Sequence, residues 1–208
     1  MKIGIIGTGN VGTSLGEAWA AKGHEIMFGS RDPHRAQQLV EKIKYNTRGG
    51  TYKQATTFGE VVILAVPWPY IKQTLESMGN LKGKILIDCI NPVKPQLEGL
   101  ELGLDTSAAE RIAEMANDAI VIKALNSIGN QHYINPKFGD MYASGFICGD
   151  DDRAKKVVAR LVADLGFDVV DCGPLQNARL LEPLALLWIK LAYVHGFGPN
   201  VAFKLLKK

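Results

Sequence analysis

The chain has no uninterrupted apolar run long enough to cross a bilayer. Its longest apolar stretch, Leu180–Val194, is broken by Glu182, Pro183 and Lys190, whereas a membrane helix needs about 20 predominantly apolar residues in a row. Cysteine is scarce: Cys89, Cys148 and Cys172 stand singly, with no C-x-x-C. That argues against a disulfide frame or a thiolate metal site and for buried cytosolic thiols. Charge of one sign is missing too. The 24 Lys and Arg residues nearly balance 21 Asp and Glu, for a net charge of +3, and the signs are interspersed. Neither a nucleic-acid stripe nor a membrane patch is expected. Strand one is predicted to begin at Lys2, which leaves no room for a signal or transit peptide, so the expected location is the cytoplasm. Acid–base constellations are lacking as well. His24, His34, His132 and His195 fall in predicted loops, helix ends and a surface helix. No His–Asp couple and no strand-embedded lysine–asparagine pair presents itself as the base that a hydroxy acid would need. No catalytic residue and no metal ligand is assigned.

What is present begins at the first residues, MKIGIIGTGNVG. A short apolar run, Ile3 to Ile6, meets Gly7-Thr8-Gly9-Asn10-Val11-Gly12, and an amphipathic helical pattern follows at once. This is the G-x-G-x-x-G dinucleotide pattern in its required context of strand, turn and helix. Gly7 suits the tight turn, Gly9 lets backbone approach a pyrophosphate, and Gly12 lets the helix pack close on the strand. Free N–H groups at the helix start favour the phosphates. At 208 residues the chain is predicted to form one domain, 1–208, with 178–208 as a C-terminal helical extension.

Further strands are expected at Glu25–Gly29, Val61–Val66, Lys84–Ile90, Ala119–Lys123, Gly145–Cys148 and Phe167–Asp171. Helices are expected from Asp32 to about Lys44, Pro69 to Met78, Thr106 to Asn117, Asp151 to Leu165, Ala178 to Val194 and Pro199 to Leu206. Arg48-Gly49-Gly50 reads as a turn and Leu97–Leu104 as loop. The uniformly apolar VVILAV suits a central parallel strand covered on both faces. The alternation predicts an α/β fold with a doubly wound, mostly parallel Rossmann sheet and C-terminal helices packed on it.

The second strand ends Phe28-Gly29-Ser30-Arg31, without the acid that usually holds the ribose hydroxyls of NAD. Arg31 offers a planar fork for a phosphate, with Ser30 beside it and Arg35 one helical turn on. The trio stands where an adenosine 2′-phosphate would lie, so NADP is the expected dinucleotide. Asp32 can cap the following helix while Arg31 binds. Ligands of such sheets bind beyond the carboxyl ends of the strands. Those ends are Ala65-Val66-Pro67-Trp68, Ile90-Asn91-Pro92-Val93 and Ala124-Leu125-Asn126-Ser127. Small residues and prolines there suit backbone lying flat against a nicotinamide ring, and Asn91 and Asn126 could bind its carboxamide or a ribose. Pro67 and Pro92 taken alone also read as simple strand terminators. Hydride transfer between two ring cofactors needs the reactive carbons held face to face rather than a protein acid or base.

Several segments together, IGTGNVG, MFGSRD, VVILAVPW, DTSAAERIAE, ICGDD and DVVDCGPLQNARLLEPLALLWI, resemble the NADP reductases that depend on coenzyme F420 (F-420), a 5-deazaflavin. The similarity spans nearly the whole chain and extends to the NADPH-binding domain of transmembrane ferric reductases. The resemblance implies hydride transfer between NADP(H) and a flavin-like second cofactor. It places Thr8–Gly12, Ser30, Arg31 and Arg35 on NADP, and Ala65–Trp68, Asn91 and Ala124 on the nicotinamide side. It also implies a homodimer through the C-terminal helices, for which Leu184, Leu187, Trp188 and Leu191 are suited. The chain departs from the pattern in two places. Ile6-Gly7-Thr8-Gly9 lacks a further glycine often found in the turn, and NSIGNQHY (126–133) differs where the second cofactor is expected. Two alternatives accompany this reading: an NADPH-dependent reductase of a small imine or carbonyl, similar to pyrroline-carboxylate reductases, and an NADP-binding sensor without chemistry.

Overall fold

A computed structural model describes residues 1–116 and 118–208. The turn pattern at the N-terminus becomes β1 (Lys2–Ile6) followed by α1 (Asn10–Ala21). Then come β2 (Glu25–Ser30), α2 (Pro33–Val40), β3 (Thr47–Thr51), α3 (Tyr52–Phe58), β4 (Val61–Leu64), α4 (Ile71–Met78), β5 (Ile85–Asp88) and α5 (Ala108–Met115). The second half adds β6 (Ile120–Ala124), the two-residue strands β7 (Lys137–Phe138) and β8 (Met141–Tyr142), β9 (Ser144–Gly149), α6 (Asp152–Asp164), β10 (Asp168–Asp171) and α7 (Ala178–Tyr193). Eight strands form one sheet in the order β10-β9-β6-β5-β4-β1-β2-β3. Its pairings are parallel except β6 with β9. This is the expected doubly wound, mostly parallel Rossmann sheet. No helix among the described residues is long and apolar enough to cross a membrane.

Strand β4 is buried on both faces, as its uniform VVIL sequence requires. Odd-numbered residues of β1, β4 and β5 face one layer. Ile3, Ile5 and Ile63 meet Leu15 and Trp19 of α1 and Val158 and Leu161 of α6. The alternate residues Ile6, Val62, Leu64 and Leu86 meet Tyr52 of α3, Leu75 of α4, Ile112 of α5 and Leu181 of α7. The two hydrophobic layers thus arise from period-two alternation in the strands.

Four expectations are corrected. Residues 48–50 are not a turn but the middle of edge strand β3. Glycine is needed at 49 because a Cβ would sit 2.6 Å from the backbone of Ala36 in α2. The α2 helix stops at Val40 instead of continuing to Lys44. Helix α3 was absent from the expectations, although Thr51 and Gln54 close it with a reciprocal capping box. Residues 199–206 are not helical. They run as an irregular strap held by two side chains and a backbone N–H elsewhere. Gln131 Nε2 donates to Pro199 O at 2.8 Å, Trp188 Nε1 to Val201 O at 2.7 Å, and Ser144 N to Phe203 O at 3.0 Å. The 178–208 helical extension therefore reduces to α7 alone. Ser107 caps α5 by accepting from Glu110 N, and the expected end of that helix at Asn117 lies outside the described residues.

Candidate functional site

The carboxyl ends of β1, β2 and β4 frame a cleft of about 740 Å³, lined by Gly7, Thr8, Gly9, Ser30, Arg31, Asp32, Arg35, Tyr52, Ala65, Val66 and Pro67. Each glycine of the turn does what its position demands. Gly7 has φ +117°, and a Cβ there would lie 2.4 Å from Ala65 O. At Gly12 a Cβ would lie 2.4 Å from Gly7 O, so this glycine brings α1 onto β1. At Gly9 the backbone is extended and a Cβ would meet nothing within 4 Å. The fold itself makes no demand for glycine at 9. Gly9 is also the N-cap of α1 and contributes no side-chain cap, and the first turn carries no acid. The positive end of the helix is therefore open toward the cleft. Asn10 and Val11 form the first turn of α1 behind this cradle.

At the tip of β2, Ser30 is buried while Arg31 and Arg35 are exposed. The Asp32 carboxylate is occupied: it accepts from His34 N at 3.0 Å and caps α2. Arg31 and Asp32 therefore divide the work as their types suggest, one free toward the cleft and one holding the helix. The Arg31 guanidinium lies over the Tyr70 ring, 5.1 Å from its centroid. Tyr52, which sequence reasoning did not single out, joins the cleft wall from α3. Burial raises its pKa against the opposing influence of Arg31, so its hydroxyl stays neutral.

The other expected residues lie at the ends of β5 and β6, apart from this cleft. Ala124 is fully buried in the core, with no side-chain surface to offer. Beyond it Leu125 adopts φ +58°, an unusual conformation for a non-glycine residue, and Asn126 follows almost entirely buried. Asn91 donates to Asn126 O at 2.8 Å, and Asn126 donates to Asn91 Oδ1 at 2.9 Å and to Leu181 O at 2.9 Å. Beside them Trp68 Nε1 donates to Glu101 Oε2 at 3.0 Å, tying the end of β4 to the loop after β5.

Beneath this layer stands a feature the sequence reading missed. Lys123 is embedded in strand β6, fully buried, with Nζ 2.9 Å from Asp88 Oδ2 and 2.9 Å from Glu182 Oε1. It also donates to Ile90 O. Glu182 in turn accepts from Ala108 N and Ala109 N at the start of α5, and Asp88 accepts from Ile90 N. Burial works against the Lys123 charge, but the two carboxylates outweigh it and raise its pKa. A lysine so enclosed cannot exchange protons with a substrate. Its work is to join β5, β6, α5 and α7. Burial, helped by Asp88, likewise pushes the Cys89 thiol far above its ordinary pKa, so it is no nucleophile. The partners lie 35 and 59 residues apart in the chain, so spacing carried no signal of the triad.

The fold and the phosphate cradle define a dinucleotide-binding oxidoreductase of the Rossmann class. The family model described as NADP oxidoreductase, coenzyme F420-dependent, matches residues 2–92. An F420-dependent NADP reductase of Methanothermobacter marburgensis is 32% identical over 207 residues, covering 92% of each chain. A crystal structure from Arthrobacter sp. FB24, described as a candidate F420-dependent NADP reductase, superposes with a TM-score of 0.91 at 31% identity over the full length of both chains. The metalloreductase STEAP3 of Rattus norvegicus is 31% identical over 189 residues, which span 89% of this chain but 37% of that protein. The chain belongs to the F420-dependent NADP reductase family of NADP oxidoreductases.

Proposed function

We propose that this protein transfers hydride between NADP(H) and F420, and that the cleft between β1, β2 and β4 holds NADP. One observation carries the choice of dinucleotide. The tip of β2 offers Ser30, Arg31 and Arg35 to the cleft, and the one acid among its lining residues, Asp32, spends Oδ1 on capping α2. An adenosine 2′-phosphate would meet two guanidinium groups, Arg31 and Arg35, against the single carboxylate of Asp32, and the pyrophosphate would meet the open start of α1 at Gly9. When bound, NADP(H) supplies or takes the hydride. The chain's own task is to orient the two rings, with Ala65–Pro67 and the Asn91–Asn126 pair facing the nicotinamide half. Full-length similarity to F420-dependent reductases supports F420 as the second partner. The enclosed Lys123 tells against the small-imine alternative, because it is not free to protonate a substrate nitrogen.

Of the residues suited to a dimer, Leu187 is exposed and Leu191 half-buried, whereas Leu184 packs on the core and Trp188 is buried with Nε1 on Val201 O; exposed Leu180 extends the Leu187 face at helical spacing. That face supports a homodimer through this helix. The buried or half-buried free thiols fit a cytoplasmic setting. The test of function is an anaerobic assay of NADPH with oxidised F420, followed by loss of the deazaflavin absorbance, with NADH and FMN as controls. Bleaching that NADPH drives and NADH does not supports the reading. Measured NADPH binding without bleaching would retain the NADP site and overturn the acceptor.

A further inference from the structure

Arg31 carries a long side chain that makes no ion pair among the described residues. Arg48, Arg111 and Arg179 differ: they stand 3.9, 2.8 and 2.7 Å from carboxylate oxygens of Glu25, Glu114 and Glu110. The partner of Arg31 is the face of Tyr70, with the guanidinium 5.1 Å from the ring centroid. Arg31 also borders two spaces. One is the cleft of about 740 Å³ at the phosphate turn, and the other is a neighbouring pocket of about 300 Å³ whose α4 wall carries Gln73, Thr74 and Ser77. The oxygens of those side chains are acceptors that compete for the Arg31 N–H groups. Tyr70 itself stands where a stiff turn puts it. Pro67 and Pro69 flank Trp68 and each fixes one backbone angle. Tyr70 N donates to Pro67 O at 3.0 Å, and Trp68 is tied to Glu101. The ring is 47% exposed, so the core does not depend on it.

We infer that Tyr70 is a positioning residue for the choice of dinucleotide: its ring holds the Arg31 guanidinium at the cleft and keeps it out of the α4 pocket. The inference rests on the NADP reading above. A carboxylate in the same place would take up two guanidinium donors and cancel the charge before any phosphate arrived. An aromatic face attracts the cation through its quadrupole and takes up none of the five N–H donors. Arg31 is therefore held in advance with its charge and its planar fork still available, which lowers the cost of ordering it when a phosphate binds. The Tyr70 hydroxyl has no part in this; the ring alone is needed.

The test is direct titration of the full-length protein with 2′-phospho-ADP-ribose and ADP-ribose, which differ only in the 2′-phosphate. The wild type is expected to prefer the phosphorylated probe by about tenfold or more. Tyr70→Leu should lower that preference about two- to fivefold, weakening 2′-phospho-ADP-ribose and leaving ADP-ribose unchanged. Tyr70→Phe, which keeps the ring, should retain the wild-type preference. On an Arg31→Ala background Tyr70→Leu should change nothing further, because the residue acts through Arg31. A wild-type preference in Tyr70→Leu overturns the inference and leaves the NADP reading standing. Equal weakening of both probes overturns it in favour of direct contact between the ring and the adenine base. A wild type that binds the two probes alike overturns the NADP reading, and this inference with it.

Discussion

The two ends of the proposed cofactor site are built from opposite materials. The adenosine end is made of exposed charge: Arg31 and Arg35 stand at the surface, and Asp32 caps a helix beside them. The nicotinamide end is made of buried polar groups: the Asn91–Asn126 amide pair above the Asp88–Lys123–Glu182 triad. The first end can select a ligand by charge at little structural cost, because water solvates its residues until a phosphate arrives. The second must be complete before any ligand comes, because each of its groups would be costly if left unpaired. Substitutions at the first end should therefore change affinity and spare the fold. At the second end they should change the fold as well.

Lys123→Met draws that contrast most strongly. It strands two buried carboxylates, and the expected loss of stability is about 3–5 kcal/mol, read as a lower midpoint in urea unfolding. A midpoint within error of wild type would show that the triad does not bind the second end together. Arg31→Ala should act the other way. NADPH binding weakens by about 1.5–3 kcal/mol, the worth of a charge-assisted hydrogen bond, with NADH binding and the unfolding midpoint nearly unchanged. Equal losses for both nucleotides would remove the 2′-phosphate assignment. Gly9→Ala isolates the ligand from the fold. Nothing lies within 4 Å of the added methyl, so stability should hold while NADPH affinity falls about tenfold, roughly 1.4 kcal/mol. Gly12→Ala, with Gly7 O in the way, should cost about 1–3 kcal/mol of stability. The smallest effect concerns pH. Two-pronged hydrogen bonding from Arg179, at 2.9 and 2.7 Å, holds the Glu110 carboxyl below its ordinary pKa. A lowered acid pKa gives stability that is present above the unfolded value and lost as pH falls through the folded one. Arg179→Met should erase that part of the acid limb in stability measured against pH, and leave the alkaline side alone.

The sequence was legible where the physics is local. The glycine turn, the uniformly apolar β4 and the Asp32 cap each lie within a few neighbouring residues, and each stands in the structure where its residue types predict. Residues 48–50 misled because glycine suits both a turn and a strand pressed on by a helix, and only the position of Ala36 decides between them. Ala124 was expected at the ligand, but the end of a central strand can turn its side chain into the core. The triad was invisible for a different reason. Lysine, aspartate and glutamate are ordinary surface residues until the fold carries partners from distant segments to one buried point. The exposed Arg31 could be read from its own segment; Lys123 needed the whole sheet.

The irregular strap at the chain end affects how the molecule comes into being. Strands β1–β5 are all present once residue 88 has been synthesised, so the phosphate-binding half can assemble while translation continues. The bonds from Gln131, Trp188 and Ser144 wait for Pro199, Val201 and Phe203, which follow β10 and α7 in synthesis. The segments of the proposed phosphate site are thus made before those that pin the loop at 126–133.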